Sequence, residues 1–142
     1  MKINSHNEWD RLREVIVGTV DGGPCMAFST TQRLTEEKHN RVLELAAQAY
    51  PKAMIQEAAE DLEGMCKVLR DFGVKVHRPD SSAARSAFSS PDWSAGGEYL
   101  YNARDLHLVV GNTVIESPSM ERYRYYEPQA FHSIWLSYFQ EG

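Results

Sequence analysis

The stretch PKAMIQEAAEDLEGMCKVLRDFGVKVHRP, Pro51–Pro79, decides the fold. Pro51 suits a first helical position, where the amide hydrogen it lacks would have had no partner. Ile55, Ala58, Leu62, Met65, Leu69 and Phe72 then recur at spacings of three and four, which lays one apolar stripe along a helix. Gly73 can supply the left-handed backbone that ends it. VKVHRP follows at once and reads as a short strand stopped by Pro79. A helix running straight into a strand predicts an α/β fold.

Upstream, REVIVGTV (Arg13–Val20) holds the β-branched run Val15, Ile16, Val17, closed by Gly18 and suited to a strand buried on both faces. DGGPC then interrupts regular structure, and residues 21–50 read as a variable excursion. Downstream, SSAARSAFSSPDWSAGG (Ser81–Gly97) is small and polar and reads as a loop. Leu106–Val110 and Thr113–Ile115 flank Gly111 and Asn112, a two-residue hairpin signal. In EPQAFHSIWLSYFQ, the spacing of Phe131, Ile134, Trp135 and Tyr138 predicts a closing helix with an aromatic inner face.

The 142 residues fit one domain with a core of its own, and 42% hydrophobic with 25% charged residues is a globular composition. A formal charge of −5 opposes general attraction to nucleic acid or anionic membrane. No apolar run approaches the ~18 residues of a membrane span, and MKINSHNEWD lacks a signal-peptide core. Two cysteines, Cys25 and Cys66, make no disulfide framework and point to a reducing, cytoplasmic setting. The five scattered histidines and the absence of zinc spacing predict no metal.

Asp105 is the first candidate for chemistry. A carboxylate at a strand end can receive two parallel hydrogen bonds from a planar guanidinium. Spacing alone equally describes a solvated Arg104–Asp105 turn, which is the commoner case. SMERYRYYE interleaves Arg122 and Arg124 with Tyr123, Tyr125 and Tyr126, a pattern that can stack on single-stranded nucleic acid. The acidic balance instead favours internal use: arginines stacking on tyrosines, or pairing with Glu121 and Glu127. Cys66, beside the helical stripe, reads as a core thiol; Cys25 has no evident activating partner. His6 and His107 lack a neighbouring acid or nucleophile and read as surface or packing histidines.

The blocks NSHNEWDRLREVIVG (Asn4–Gly18), GVKVHRPD (Gly73–Asp80) and ARDLHLVVGNTVIESP (Ala103–Pro118), continued by RYRYYEPQAFHSIWLSYF (Arg122–Phe139), resemble the N-terminal part of the glycine/inosamine-phosphate amidinotransferase family in order and spacing. The resemblance implies a pentein-type α/β-propeller of ββαβ units, with residues 1–142 a partial domain supplying its N-terminal blade or blades. It implies transfer of an amidino group, commonly from arginine, to an acceptor amine, without metal or organic cofactor. A cysteine thiolate attacks the guanidino carbon, a histidine moves protons, and carboxylates hold the cation. The family's cysteine and histidine lie in regions that these blocks do not reach. No catalytic residue is therefore carried over to this chain, which is expected to be inactive alone.

Asp105 matches the family's guanidinium-contacting aspartate, and Tyr99 the position of a nearby family tyrosine. Ala103 stands where family members often have proline. Expected partners are a small guanidino substrate such as arginine, an acceptor amine, and the rest of the propeller or a complementing chain, with a homo-oligomer as one route to closure. Two other readings stand beside transfer: a standalone guanidino-binding or assembly module, and part of a guanidine-modifying hydrolase.

Overall fold

A computed structural model describes residues 3–21, 50–82, 88–95 and 100–141. Tyr99, Cys25 and nearly all of the 21–50 excursion lie outside these residues. Strand β1 (Glu14–Ile16) and strand β2 (Lys75–His77) pair in parallel, with Glu14 opposite Lys75 and Ile16 opposite His77. Helix α1 (Lys52–Asp71) precedes β2 as the sequence predicts. Pro51 takes the cap position just outside the helix rather than its first turn, and Gly73 ends it with φ +75°.

The inward face of α1 is rotated from the predicted stripe. Leu62 and Cys66 are buried, with Ile55, Ala58, Ala59 and Leu69 packed around them against Val15, Val17, Val20 and Val76. Met65 and Phe72 are exposed. Small alanines let the helix approach β1 and β2 closely, and Cys66 fills the space that a longer side chain would overfill. Arg78 covers the thiol, its Nη1 lying 3.1 Å from Sγ.

The bonding of β1 continues past its regular residues. Val17 donates to the His77 carbonyl at 3.0 Å, and Thr19 donates to the Leu100 carbonyl at 2.9 Å. Between them sits Gly18, where an added Cβ would stand 2.1 Å from the Tyr101 carbonyl oxygen and 2.3 Å from that of Leu100. Only a residue without a side chain allows the chain to pass there. Far from closing the strand, Gly18 carries it past a crossing segment.

Three further features follow. Strands β3 (Phe88–Ser89) and β4 (Ser94–Ala95) form a small antiparallel pair inside the stretch expected to be all loop. Two residues per strand are too few to show alternation in sequence. Strands β5 (His107–Val110) and β6 (Thr113–Glu116) make the predicted hairpin, turning through Gly111 at φ +58°. Ser5 and Gly111 exchange both backbone hydrogen bonds, at 2.8 and 2.7 Å, which ties the N-terminal segment to the hairpin turn.

The final helix begins later than its spacing predicts. Glu127–Phe131 is a tight 3-10 turn with Pro128 near its start, and helix α2 (His132–Glu141) follows. Phe131, Ala130 and Ile134 form a second core with Leu100 and Leu106, edged by Ile16, Trp135 and Tyr138. The hairpin is less buried than its apolar run suggests, because Leu108, Val110 and Ile115 present an exposed face. The sheets are two-stranded, and the described residues close no ring. No helix among them is long and apolar enough to cross a membrane.

Candidate guanidinium site

Asp105 lies in a 3-10 turn, Ala103–Asp105, whose next residue but one opens β5. Leu106, fully buried in the second core, anchors the turn from below. The Asp105 side chain keeps 40% of its surface exposed. Its sequence neighbour Arg104 is exposed and does not pair with it. The guanidinium that meets Asp105 comes from Arg124, with Nη1 3.0 Å from Oδ2.

Arg124 belongs to another 3-10 turn, Arg122–Arg124, and is held on three sides. Its Nε is 3.0 Å from each carboxylate oxygen of Glu127, Nη1 donates to Asp105, and Nη2 donates to the Asn102 carbonyl at 3.4 Å. The Glu127 side chain is almost wholly buried. Burial dominates its acidity and raises the carboxyl to about 7 against the pull of Arg124, and the charge of Asp105 adds to the rise. Burial opposes charge on Arg124, but the two carboxylates outweigh it and hold the guanidinium protonated.

The basic and aromatic residues of SMERYRYYE make contacts within the chain. Arg122 lies over the Trp93 ring at 5.5 Å rather than over a tyrosine. Tyr125 and Tyr126 meet Trp93 and Phe88 edge-on, at 5.8 and 4.6 Å between ring centres. This packing attaches the β3–β4 pair to the turn that carries Arg124, while Arg122, Tyr125 and Tyr126 keep exposed surface.

A second polar cluster escaped the sequence. Glu14 on β1 receives hydrogen bonds from His77 on β2 at 2.7 Å and from the Tyr138 hydroxyl on α2, with Lys75 at 3.3 Å. Tyr138 also lies 3.1 Å from the same His77 nitrogen. Burial would raise the Glu14 carboxyl, but the bonds from Tyr138, His77 and Lys75 prevail and bring it down to about 2. A carboxyl depressed from 4.5 stabilises the fold above its unfolded value and loses that contribution as pH falls towards 2. Glu14→Gln is therefore expected to flatten the acid limb of stability between about pH 4.5 and 2, by at most about 3 kcal/mol. Urea titrations at pH 2.5 and 6 check this. An unchanged acid limb would remove Glu14 from the account.

This cluster borders a cleft of about 910 Å³ lined by Glu14, His77, Arg104, His107, Trp135 and Tyr138, among others. His107 stands between Phe131 and Trp135, at 4.8 and 5.1 Å between ring centres, and burial lowers its pKa, so it is a neutral packing residue at pH 7. Asp105 is not among the lining residues, so the carboxylate site and this cleft are separate places. Among the described residues no group of histidine, cysteine and carboxylate side chains is arranged to hold a metal ion. Sequence spacing singled out Asp105 and the Arg124–Glu127 pairing. It carried no signal for the contact between Arg124 and Asp105, or for Glu14 with His77 and Tyr138.

No protein-family model matches the chain. Mitochondrial glycine amidinotransferase of Danio rerio is 36% identical over 140 residues, which cover 97% of this chain and 33% of that protein. L-arginine:L-lysine amidinotransferase of Pseudomonas savastanoi pv. phaseolicola is 35% identical, over 97% of this chain and 39% of that protein. Among solved structures, inosamine-phosphate amidinotransferase from Streptomyces griseus superposes with a TM-score of 0.87 at 34% identity, covering 99% of this chain and 41% of the other. The chain thus spans between a third and two fifths of the length of these relatives. Over nearly its whole length, the chain is similar to part of the glycine and inosamine-phosphate amidinotransferases.

Proposed function

We propose that the chain supplies the guanidino-binding part of an amidinotransferase that moves an amidino group from arginine to an acceptor amine. Asp105 holds the guanidinium, and Tyr99 contributes beside it. The nucleophilic thiolate and the proton-carrying histidine come from residues outside this chain, which on its own carries out no transfer. Cys66, sealed under Arg78 in the first core, has no route to a substrate carbon. The larger assembly is a pentein-type α/β-propeller to which this chain contributes its first part.

The observation that carries the reading is the carboxylate itself. Asp105 sits on a turn anchored by the core, is part exposed, and already accepts a hydrogen bond from a guanidinium at 3.0 Å. A planar cation is the partner that such a carboxylate orients best. The names of the relatives support the substrate class: an amidino group is common to all, arginine appears in one, and glycine, lysine and inosamine phosphate differ between them. The shared element is thus the guanidino group, and the acceptor varies.

Calorimetric titration with L-arginine tests the reading. The wild-type chain is expected to bind, and Asp105→Asn, which keeps size but removes charge, to bind at least about tenfold more weakly. Equal binding by the two proteins, or none by the wild type, would remove Asp105 from the role.

A further inference from the structure

We propose that Arg124 is a positioning residue for Asp105, and that Glu127 sets the charge which the pair presents to an incoming guanidinium. The proposal rests on the reading of Asp105 as the guanidinium contact and assigns the two residues behind it.

Asp105 stands on a three-residue turn, which by itself leaves a carboxylate free to rotate. Arg124 removes that freedom. Its guanidinium is fixed by both oxygens of buried Glu127 and reaches the turn at two points, the Asn102 carbonyl and Asp105 Oδ2. A planar fork held at one end transmits its orientation to the other, which a flexible ammonium cannot do. Arg124 donates to Oδ2 alone, and the exposed part of the carboxylate is where a ligand can approach.

The arrangement also solves a charge problem. Asp105 and Arg124 alone are neutral together, and a second guanidinium arriving beside the first would meet a like charge. Glu127 supplies the missing anion: two carboxylates around one guanidinium leave a single net negative charge. When Glu127 takes up a proton, that surplus vanishes. The carboxyl titrates near neutrality because it is buried.

The charged groups that bear on Glu127 among the described residues are Arg124 and Asp105. On neighbouring elements, His107 beside Phe131 is kept neutral by burial, while His132 and Glu116 face each other at 3.6 Å on the exposed side. Asp80, whose amide donates to the Ala130 carbonyl, has its carboxylate turned to the Ser82 amide.

The experiment is L-arginine titration of the full chain at pH 6, 7 and 8, for wild type, Asp105→Asn, Arg124→Lys and Glu127→Gln, with circular dichroism as the check on folding. Wild-type affinity is expected to rise several-fold from pH 6 to 8. Arg124→Lys keeps the charge and loses the fork, and is expected to weaken binding about tenfold at pH 8. Glu127→Gln is expected to bind weakly and with no pH dependence.

A purely structural role would move the melting temperature without flattening the pH profile. If Asp105→Asn weakens binding while folded Arg124→Lys binds as wild type, or Glu127→Gln keeps the wild-type pH profile, the proposal fails and the reading of Asp105 survives. If Asp105→Asn binds as wild type, or the wild type does not bind, the reading of the site fails and takes the proposal with it. Should Arg124→Lys be unfolded, the pH profile of Glu127→Gln decides.

Discussion

Gly18→Ala is expected to destabilise the fold by about 3 kcal/mol or more, an unusually large effect for one methyl group. The methyl would stand 2.1 and 2.3 Å from two carbonyl oxygens. These belong to the backbone, so no side-chain rotation relieves the overlap. Either β1 or the Leu100–Tyr101 segment must move, and with it goes the 2.9 Å bond from Thr19 to Leu100. Movement of that segment also reaches the site, because Asn102, two residues after Leu100, carries the carbonyl that Arg124 grips. Chemical denaturation reads the loss as a lowered midpoint. Gly64→Ala on the outer face of α1 is the control: nothing lies within 4 Å of its added methyl, and relief of the glycine penalty should stabilise the helix slightly. A Gly18→Ala midpoint equal to wild type would mean that the crossing is looser than described.

Phe131→Ala is the second large effect, expected to cost about 3–5 kcal/mol. The ring is completely buried where the 3-10 turn meets α2, among Leu100, Leu106, Ala130 and Ile134. Its removal leaves a cavity that backbone on several sides cannot close, and His107 loses one of its two ring neighbours. Phe139, on the same helix and 85% exposed, provides the comparison, since its replacement by alanine should cost little. Similar losses at the two positions in thermal or urea unfolding would contradict the assigned core.

Local signals in the sequence were read well wherever a single element decides them. The helix before β2, its glycine stop, the β5–β6 hairpin and the inert setting of Cys66 all follow from spacing within some twenty residues. The inner face of α1 was read correctly at Ile55, Ala58, Leu62 and Leu69 but not at its edge, because periodicity cannot fix the exact rotation of a helix against the sheet. Cys66 and Ala59 turn inward in place of Met65 and Phe72 through closeness of approach. The delayed start of α2 turns on Pro128, which suits a tight first turn, while the aromatic spacing runs on regardless.

The site divides in the same way. Asp105 was singled out as a candidate by its place before a strand and by the likeness of whole blocks to known proteins. The hold of Arg124 on Asp105 spans 19 residues and depends on how two turns meet, so no local pattern announces it. The Glu14 cluster is more remote still, joining three elements that share no motif.

That cluster has a consequence for the order in which the molecule assembles. Glu14 and Tyr138 are 124 positions apart, and Glu14 and His77 are 63 apart. The β5–β6 hairpin needs only ten residues and can close on the microsecond scale of local structure. The parallel β1–β2 pair must first bring together ends separated by the long excursion and α1, a slower event. During synthesis β1 can pair only once β2 has emerged some sixty residues later, and the Tyr138 contact to Glu14 must wait for a further sixty or so. Glu14 is thus tied in two steps: ionised and well hydrated, it helps keep the waiting strand soluble, meets His77 as β1 and β2 pair, and gains its bond from Tyr138 only later.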